Sequence, residues 1–531
     1  MTTSHPPELL PYLVEGALGF WEIADKLPDK VAIVAGDGTT LTFGALRRWS
    51  DSIANELIRL GYGPGDTVAS MFPNVPASLA VQLATSQLGI VLTPINWHQT
   101  ATEVEYIVRD SGSTALFTDS ELADLALEVV HRIPIDADRR FAAGRGLAGF
   151  RSLTDLPDSG PIDASRRVMG QSMYYTSGTT GKPKGVVRPT SSKAPEDVLA
   201  LRHPLMARRM GWPAEPGVHL VTAPLYHSGP NNYAYSALQR GYRVVLMQKW
   251  DAEECLQTIE SHGVTSSFMV PTMFHRLLAL PEDVRGQYDI SSLNFVVHAA
   301  APCPPHEKRA MLDWWGPVIY EFYSSTEGGG TSVWPKDWIE HPGTVGKAWE
   351  GVDVKIFDDN GRELPPGEVG MVFFRNPERF QYHNAPEKTA AAQHGEYFTA
   401  GDMGYLDEAG WLFLSDRRSD LIISGGVNIY PAEIEAVLLE HPAVCDAAVI
   451  GLPDEVWGSR VHAVISPAEG VIPGPQLLSD LKALWVDRLA SFKQPRSIEF
   501  RTLTRTDTGK LNRSALRAAV LAEQADGAPQ G

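Results

Sequence analysis

The stretch Tyr175-Thr-Ser-Gly-Thr-Thr-Gly-Lys-Pro-Lys-Gly185 (YTSGTTGKPKG) gathers small hydroxylated residues, glycines and two lysines, Lys182 and Lys184, into one loop. Glycines let backbone N–H groups turn toward a single point without steric cost, and hydroxyl and ammonium groups add donors there. Such chemistry suits a polyphosphate. A Walker loop, G-x-x-x-x-G-K-[ST], does not fit, because Thr176 stands where the first glycine belongs and Pro183 follows Lys182. The residues specify a phosphate loop of another kind.

On either side of this loop the pattern alternates helix and strand. Leu46, Trp49, Ile53 and Leu57 recur at helical spacing, and Gly61 and Pro64 close that helix. Strands are predicted at 67–71, 90–95 and 114–118, with helices over 76–88 and from a Thr100/Glu103 capping box to Ser111. After the loop, strands are predicted near 219–223, 243–247, 264–270, 293–298 and 318–323. Repeated βα units imply a largely parallel sheet with helices on both faces. Ligands of such sheets bind outside the carboxyl ends of the strands. The loop at 176–185, His227, Ala299–Pro302 and Tyr323–Glu327 are all expected at such ends.

Beyond Gly343 the texture changes. GVDVKIFDDNGRELPPGEVGMVFF reads as a hairpin turning at Asp359-Asn-Gly361, and MGYLDEAGWLFL repeats the design. The expected fold class is α/β: a large N-terminal domain of mainly parallel sheets flanked by helices, with a β-subdomain, followed by a small mobile α+β domain. The boundaries read as 1–416 for the large domain (β-rich from about 343), 417–419 for a hinge and 420–531 for the small domain. Its last dozen residues, rich in Ala, Gly and Gln, read as a frayed tail. Gly144-Arg-Gly146-Leu-Ala-Gly149 matches G-x-G-x-x-G, but with no strand expected before it the match reads as chance.

The chain has 531 residues with 64 acidic against 46 basic, a net charge of -18, which argues against a nucleic-acid partner. Cys255, Cys303 and Cys445 are far apart and show neither metal-ligand nor disulfide spacing. No secretory signal and no apolar run of spanning length is evident, so a soluble, cytoplasmic protein without a membrane span is expected. A homodimer is compatible with the sequence.

Five further segments carry chemistry-bearing residues: YSSTEGGG (323–330), YFTAGDMGYLD (397–407), Arg417 at the domain junction, SGGVNIYPAEIE (424–435) and TDTGKLNR with Lys510. With YTSGTTGKPKG, in this order and spacing, they resemble the adenylate-forming superfamily, specifically the acyl-CoA synthetases (fatty-acid–CoA ligases), over nearly the whole chain. The resemblance implies ATP, Mg²⁺ and coenzyme A as cofactor and co-substrates. A carboxylate attacks the α-phosphate of ATP, and a thiolate then displaces AMP. The developing charge calls for preorganised cations and donors.

By that resemblance Thr176, Ser177, Gly178, Thr179, Thr180 and Lys184 cradle the β- and γ-phosphates. Thr326 contacts the α-phosphate and Glu327 holds Mg²⁺, which prefers oxygen. Tyr323 stacks on adenine, whose edge the backbone at Ala300, Ala301 and Pro302 reads. Asp402, assisted by Arg417, binds the ribose hydroxyls, and Lys510 bridges the substrate carboxylate and α-phosphate. Gly425 and Gly426 border a pantetheine tunnel after the small domain rotates, and His227 lies where the acyl and pantetheine channels meet. The hinge residue, commonly Asp or Lys in the family, falls on Ser419.

Taken singly, His227 fits a structural histidine and Lys510 a solvated lysine; their motif context favours function. Arg418 and the pair Arg208–Arg209 carry no motif and read as surface charge. The acyl pocket is expected around Tyr233, Val270–Thr272, His298, Ala299, Ser324, Gly328, Gly329 and Gly330. Small residues there should leave volume, and no Lys or Arg appears in those segments to pair a second carboxylate. The expected substrate is a bulky hydrophobic acid, medium- or long-chain or polycyclic. The alternatives are a carrier-protein acceptor, or a partial enzyme catalysing one half-reaction.

Overall fold

A computed structural model describes residues 13–176, 183–377, 379–417, 420–424, 427–454, 457–486, 488–506 and 509–526. The expectations for Ser177, Gly178, Thr179, Thr180, Ser419, Gly425 and Gly426 lie outside the described residues, as does the Arg417 side chain.

Two sheets form the frame. Six parallel strands run in the order Arg151–Ser152, Arg140–Ala143, Leu116–Asp119, Thr67–Met71, Val91–Pro94, Gln171–Ser172. A nine-stranded sheet has a parallel centre built from Arg243–Leu246, Val218–Val221, Ser266–Met269, Phe295–His298 and Ile319–Ser325. The capping box forms as expected: the Thr100 hydroxyl accepts from the Glu103 N–H, Glu103 reaches back to the Thr100 N–H, and Gly112 closes the helix in the left-handed region. One helix from each sheet, Pro76–Ser86 and Ser228–Gln239, is buried at the junction between them. Their polar groups pair across it: Gln82 donates to Asn231 Oδ1 at 2.6 Å and Tyr235 donates to Ser86 Oγ at 3.0 Å. Apolar crossover helices thus join the two halves without orphaned donors at those positions.

The β-rich part is a six-stranded sheet from Asp353–Phe357 to Leu412–Arg417. The small domain has its own core, in which Ile434, Leu438, Val449, Ile465, Leu481 and Trp485 pack beside the sheet Val444–Asp454, Gly458–Pro467, Ser497–Phe500.

Two expectations are corrected. A parallel strand, Arg140–Ala143, does precede Gly144; what rules out a dinucleotide loop is that another strand, Arg151–Ser152, follows in place of a helix. The terminal residues do not fray from 520: the helix Arg513–Asp526 continues because Val520 is buried against Ala448, Ile450, Leu452 and Val464.

Behind the strand ends that face the site lies a buried ion pair between Lys308 and Glu321, with His298 Nε2 3.4 Å from Glu321 Oε2. Burial pushes the Glu321 carboxyl up while Lys308 opposes it. Burial and the Lys308 charge hold His298 neutral, well below its ordinary value. Removing one member leaves the other buried without its partner. Lys308→Met is therefore expected to cost about 3–5 kcal/mol of unfolding free energy in denaturant titration, and Lys308→Met/Glu321→Leu to recover most of it.

Candidate active site

The glycine-rich run connects two strands of an antiparallel hairpin, Tyr174–Thr176 and Lys184–Val187, with Lys184 opposite Thr176. The sequence reading placed it after a strand of the parallel sheet; it follows a strand of this separate antiparallel sheet instead. A third strand, Gln381–Tyr382, pairs on the other side, with Tyr382 opposite Val186. The Lys184 ammonium sits 4.7 Å from the centre of the Tyr382 ring. Burial and Lys388 push that ammonium's pKa down, while Glu327 pulls it up.

Thr326 and Glu327 are the two tip residues of a tight hairpin between Ile319–Ser325 and Gly328–Val333, in which Ser325 pairs with Gly328. Arg188 Nη2 donates to the Thr326 carbonyl at 2.6 Å, and the Tyr382 hydroxyl donates to Glu327 Oε1 at 2.7 Å. Burial and the Glu327 carboxylate push the Tyr382 phenol up, so it remains a donor. One tyrosine therefore orients the carboxylate expected to hold the metal and underlies the lysine expected to hold phosphate. Neither Tyr382 nor Arg188 was singled out from sequence. The only local signal for Tyr382 was an aromatic shortly before Pro386, which opens the helix Pro386–Ala391.

Asp402 begins the strand Asp402–Leu406, where Arg417 pairs with it in register. The Tyr323 hydroxyl donates to Asp402 Oδ2 at 2.6 Å, and its ring centre is 5.8 Å from that of Phe374. Tyr323 thus fixes the direction of the carboxylate expected to meet ribose. Ala300 has φ +77°, a left-handed conformation rare outside glycine. It occurs in the segment expected to read adenine, and such backbone strain costs about 1–3 kcal/mol.

The small domain faces the same cleft. Gly509, at φ +72°, lies so close to Thr272 that an added Cβ would be 2.7 Å from Thr272 Oγ1. Arg505 Nη1 donates to the Gly509 carbonyl at 3.0 Å, and Nε donates to Asp446 Oδ2 at 2.7 Å. The Lys510 N–H donates to Thr506 Oγ1 at 3.0 Å. A clamp absent from the sequence reading, Arg505 and Asp446, thus shapes the lysine turn. Nearby, at the domain junction, His275 Nδ1 lies 2.7 Å from Glu307 Oε1, and Cys445 of the small domain together with Glu307 pushes the imidazole's pKa up.

A single cavity of about 3400 Å³ includes Thr176, Lys184, His227, Thr326, Glu327 and Lys510 on its wall. Ala300, Ala301, Tyr323 and Asp402 border it too, as do Tyr233, Ala299, Ser324, Gly328 and Gly329. Val270 and His298 do not: both are fully buried behind the wall. The glycines do not leave the expected volume. A Cβ on Gly329 would meet Phe374 at 2.4 Å and one on Gly330 would meet Trp349 at 2.4 Å, so those side chains already fill the space. Part of the cavity instead follows the helix Pro195–Met210, through Val198, Arg202, Met206 and Met210. Arg209 borders the cavity as well, with its guanidinium donating to the Glu350 carbonyl at 2.8 Å, whereas Arg208 pairs with Glu350 at the surface. Arginines therefore line the cavity from outside the segments read as its walls, and Arg209 is not the surface charge expected from the sequence.

Among the described residues, no group of three or more His, Cys, Asp or Glu could hold a metal ion, and no helix is long and apolar enough to cross a membrane. One oriented carboxylate fits a Mg²⁺ ion that draws its other ligands from phosphate and water. Tyr382→Phe should then weaken Mg²⁺ affinity about 10–100-fold, read as a rise in the Mg²⁺ concentration for half-maximal activity, with little change in melting temperature.

The sequence profile of AMP-binding enzymes matches residues 20–382, and that of the AMP-binding enzyme C-terminal domain matches residues 433–510. The chain is 35% identical to the fatty acid–[acyl-carrier-protein] ligase ScoC of Streptomyces coeruleorubidus, over 91% of this chain and 92% of the relative. It is 33% identical to a feruloyl-CoA synthase of an Amycolatopsis species, over 94% and 98%. The o-succinylbenzoate CoA synthetase of Bacillus subtilis, solved with ATP and magnesium ion, superposes with a TM-score of 0.76 at 28% identity, covering 94% of this chain and 98% of that one. The profile match over most of the chain and the shared two-domain fold make this protein a member of the adenylate-forming superfamily of AMP-binding enzymes, an AMP-forming acid–thiol ligase.

Proposed function

We propose that this enzyme condenses a carboxylic acid having a large apolar body with ATP, then passes the acyl group to the thiol of coenzyme A. The observation that carries the reading is the meeting of the Lys510 turn with the Thr326–Glu327 tip and the Thr176/Lys184 hairpin on one cavity. Lys184 and the loop it closes would hold the β- and γ-phosphates, and Lys510 would neutralise charge passing between the acid and the α-phosphate. Glu327, oriented by Tyr382, would hold Mg²⁺, which supplies charge neutralisation at the phosphates when bound. Asp402, aimed by Tyr323, would hold ribose. His227, at the start of the helix Ser228–Gln239, borders the cavity and would lie where the acid meets the incoming thiol. Trp212 and Tyr233, stacked at 4.7 Å, give the acyl space an aromatic wall.

The thiol could instead be that of a carrier protein. The relative named as an acyl-carrier-protein ligase favours that second reading. Initial rates with coenzyme A and with a phosphopantetheinylated carrier protein, compared on one acid, decide between them.

The two half-reactions should separate by mutation. Lys510→Ala is expected to lower acid-dependent pyrophosphate exchange at least 100-fold while sparing thioester formation from supplied acyl-adenylate. Gly509→Ala adds a Cβ that strains a left-handed residue and crowds Thr272 only while the turn is docked. It should depress exchange about tenfold and affect the second step less. Equal loss of both steps in both variants would contradict the assignment.

A further inference from the structure

The acyl part of the cavity has a polar track. Asn232, Ser236 and Arg240 follow one another at four-residue spacing along and just beyond the helix Ser228–Gln239, so they share one face, and all three border the cavity. His227 opens this helix, and Arg240 lies thirteen residues on, roughly 20 Å at the helical rise. The track thus runs from the reacting end toward a remote one.

At the remote end the Arg240 side chain is buried, donates to the Pro213 carbonyl and stands 5.6 Å from the centre of the Trp212 ring. Opposite, on the helix Pro195–Met210, His203 is only 4% exposed and borders the same cavity. Neither of its ring nitrogens has a hydrogen-bond partner. Burial and the Arg240 charge push its pKa down to about 3, so the imidazole is neutral at working pH and offers one N–H donor and one acceptor. A buried polar group left unpaired costs roughly 1–3 kcal/mol. An apolar chain filling this space would leave that cost in place and further desolvate a guanidinium. An occupant with an oxygen acceptor pairs the N–H and removes the donor's share of that cost.

We propose that the acid activated here carries an oxygen acceptor at the end remote from its reacting carboxyl, held by His203 and Arg240. The inference rests on the adenylation reading and narrows its substrate class. A charged carboxylate would engage mainly Arg240, whereas a neutral hydroxyl or keto oxygen would engage mainly His203.

The test is acid-dependent pyrophosphate exchange by the full-length chain with palmitate, its ω-hydroxy and ω-oxo derivatives, the corresponding α,ω-dicarboxylate, and shorter homologues of each. At matched length, kcat/KM should favour an acceptor-bearing acid about tenfold or more, with the difference mainly in KM. His203→Leu should collapse that ratio for the neutral acceptors, and Arg240→Met should collapse it for the dicarboxylate. Ser236→Leu, which retains both end groups but blocks the track, should raise KM for the long acids relative to the short ones. Should Arg240→Met fail to fold, the His203 and Ser236 variants still decide. Preference for the unsubstituted acids, or an acceptor preference that neither His203→Leu nor Arg240→Met reduces, overturns the inference while leaving adenylation intact. No exchange with any acid overturns both.

Discussion

The hairpin from Ile319–Ser325 to Gly328–Val333 is the constraint on which the site depends. Three successive glycines with φ of 125°, 72° and 156° let its return strand lie where Asn376, Phe374 and Trp349 occupy the places side chains would take. That closeness packs the tip against the β-rich sheet, so Thr326 and Glu327 meet Arg188 and Tyr382 from separate elements. The first strand also carries Tyr323, which reaches Asp402 across the same packing. One tight turn thereby positions the groups expected at the α-phosphate, the metal and the ribose. Any β-branched or bulky residue at 329 or 330 would have to displace an aromatic ring.

Among the contacts of the small domain with this assembly are the Gly509 backbone against Thr272, Cys445 beside His275, and the helix Pro431–Leu438 against the strand Leu412–Arg417. Its cores are separate from that of the large domain, so it can separate without opening an apolar interior. This suits the proposed reaction, in which the lysine turn would serve the first half-reaction and make way for a thiol in the second. The left-handed Gly509 and the Arg505 clamp hold the turn's shape whichever surface the domain faces.

Much of the architecture was legible because alternating helix and strand periodicity is a local signal. The strands at 67–71, 219–223 and 293–298 and the Thr100 cap were readable from spacing alone. The reading failed where geometry depends on partners far away in sequence. The hairpin pairing of Thr176 with Lys184 needs two short strands that periodicity cannot distinguish from a βα turn. The glycines at 328–330 read as empty space because the rings of Phe374 and Trp349 approach from elsewhere in the chain. Tyr382 has no motif of its own and gains its role only by facing Glu327. The helix Pro195–Met210 was missed as an acyl wall because Pro204 and its mixed face give no clean amphipathic stripe. Motif residues such as Glu327, Asp402 and Lys510 do converge on one cavity, whereas His298 and Val270 end behind its wall.

The proposed reaction begins with attack of the acid on the α-phosphate of ATP. The most direct measurement is the nucleotide product formed when the purified chain consumes ATP with Mg²⁺ and a suitable acid, before any thiol is added. Enzyme-bound acyl-adenylate with released pyrophosphate, yielding AMP once a thiol is supplied, is the result expected. ADP with inorganic phosphate, or no acid-dependent turnover of ATP across a broad acid panel, would contradict it.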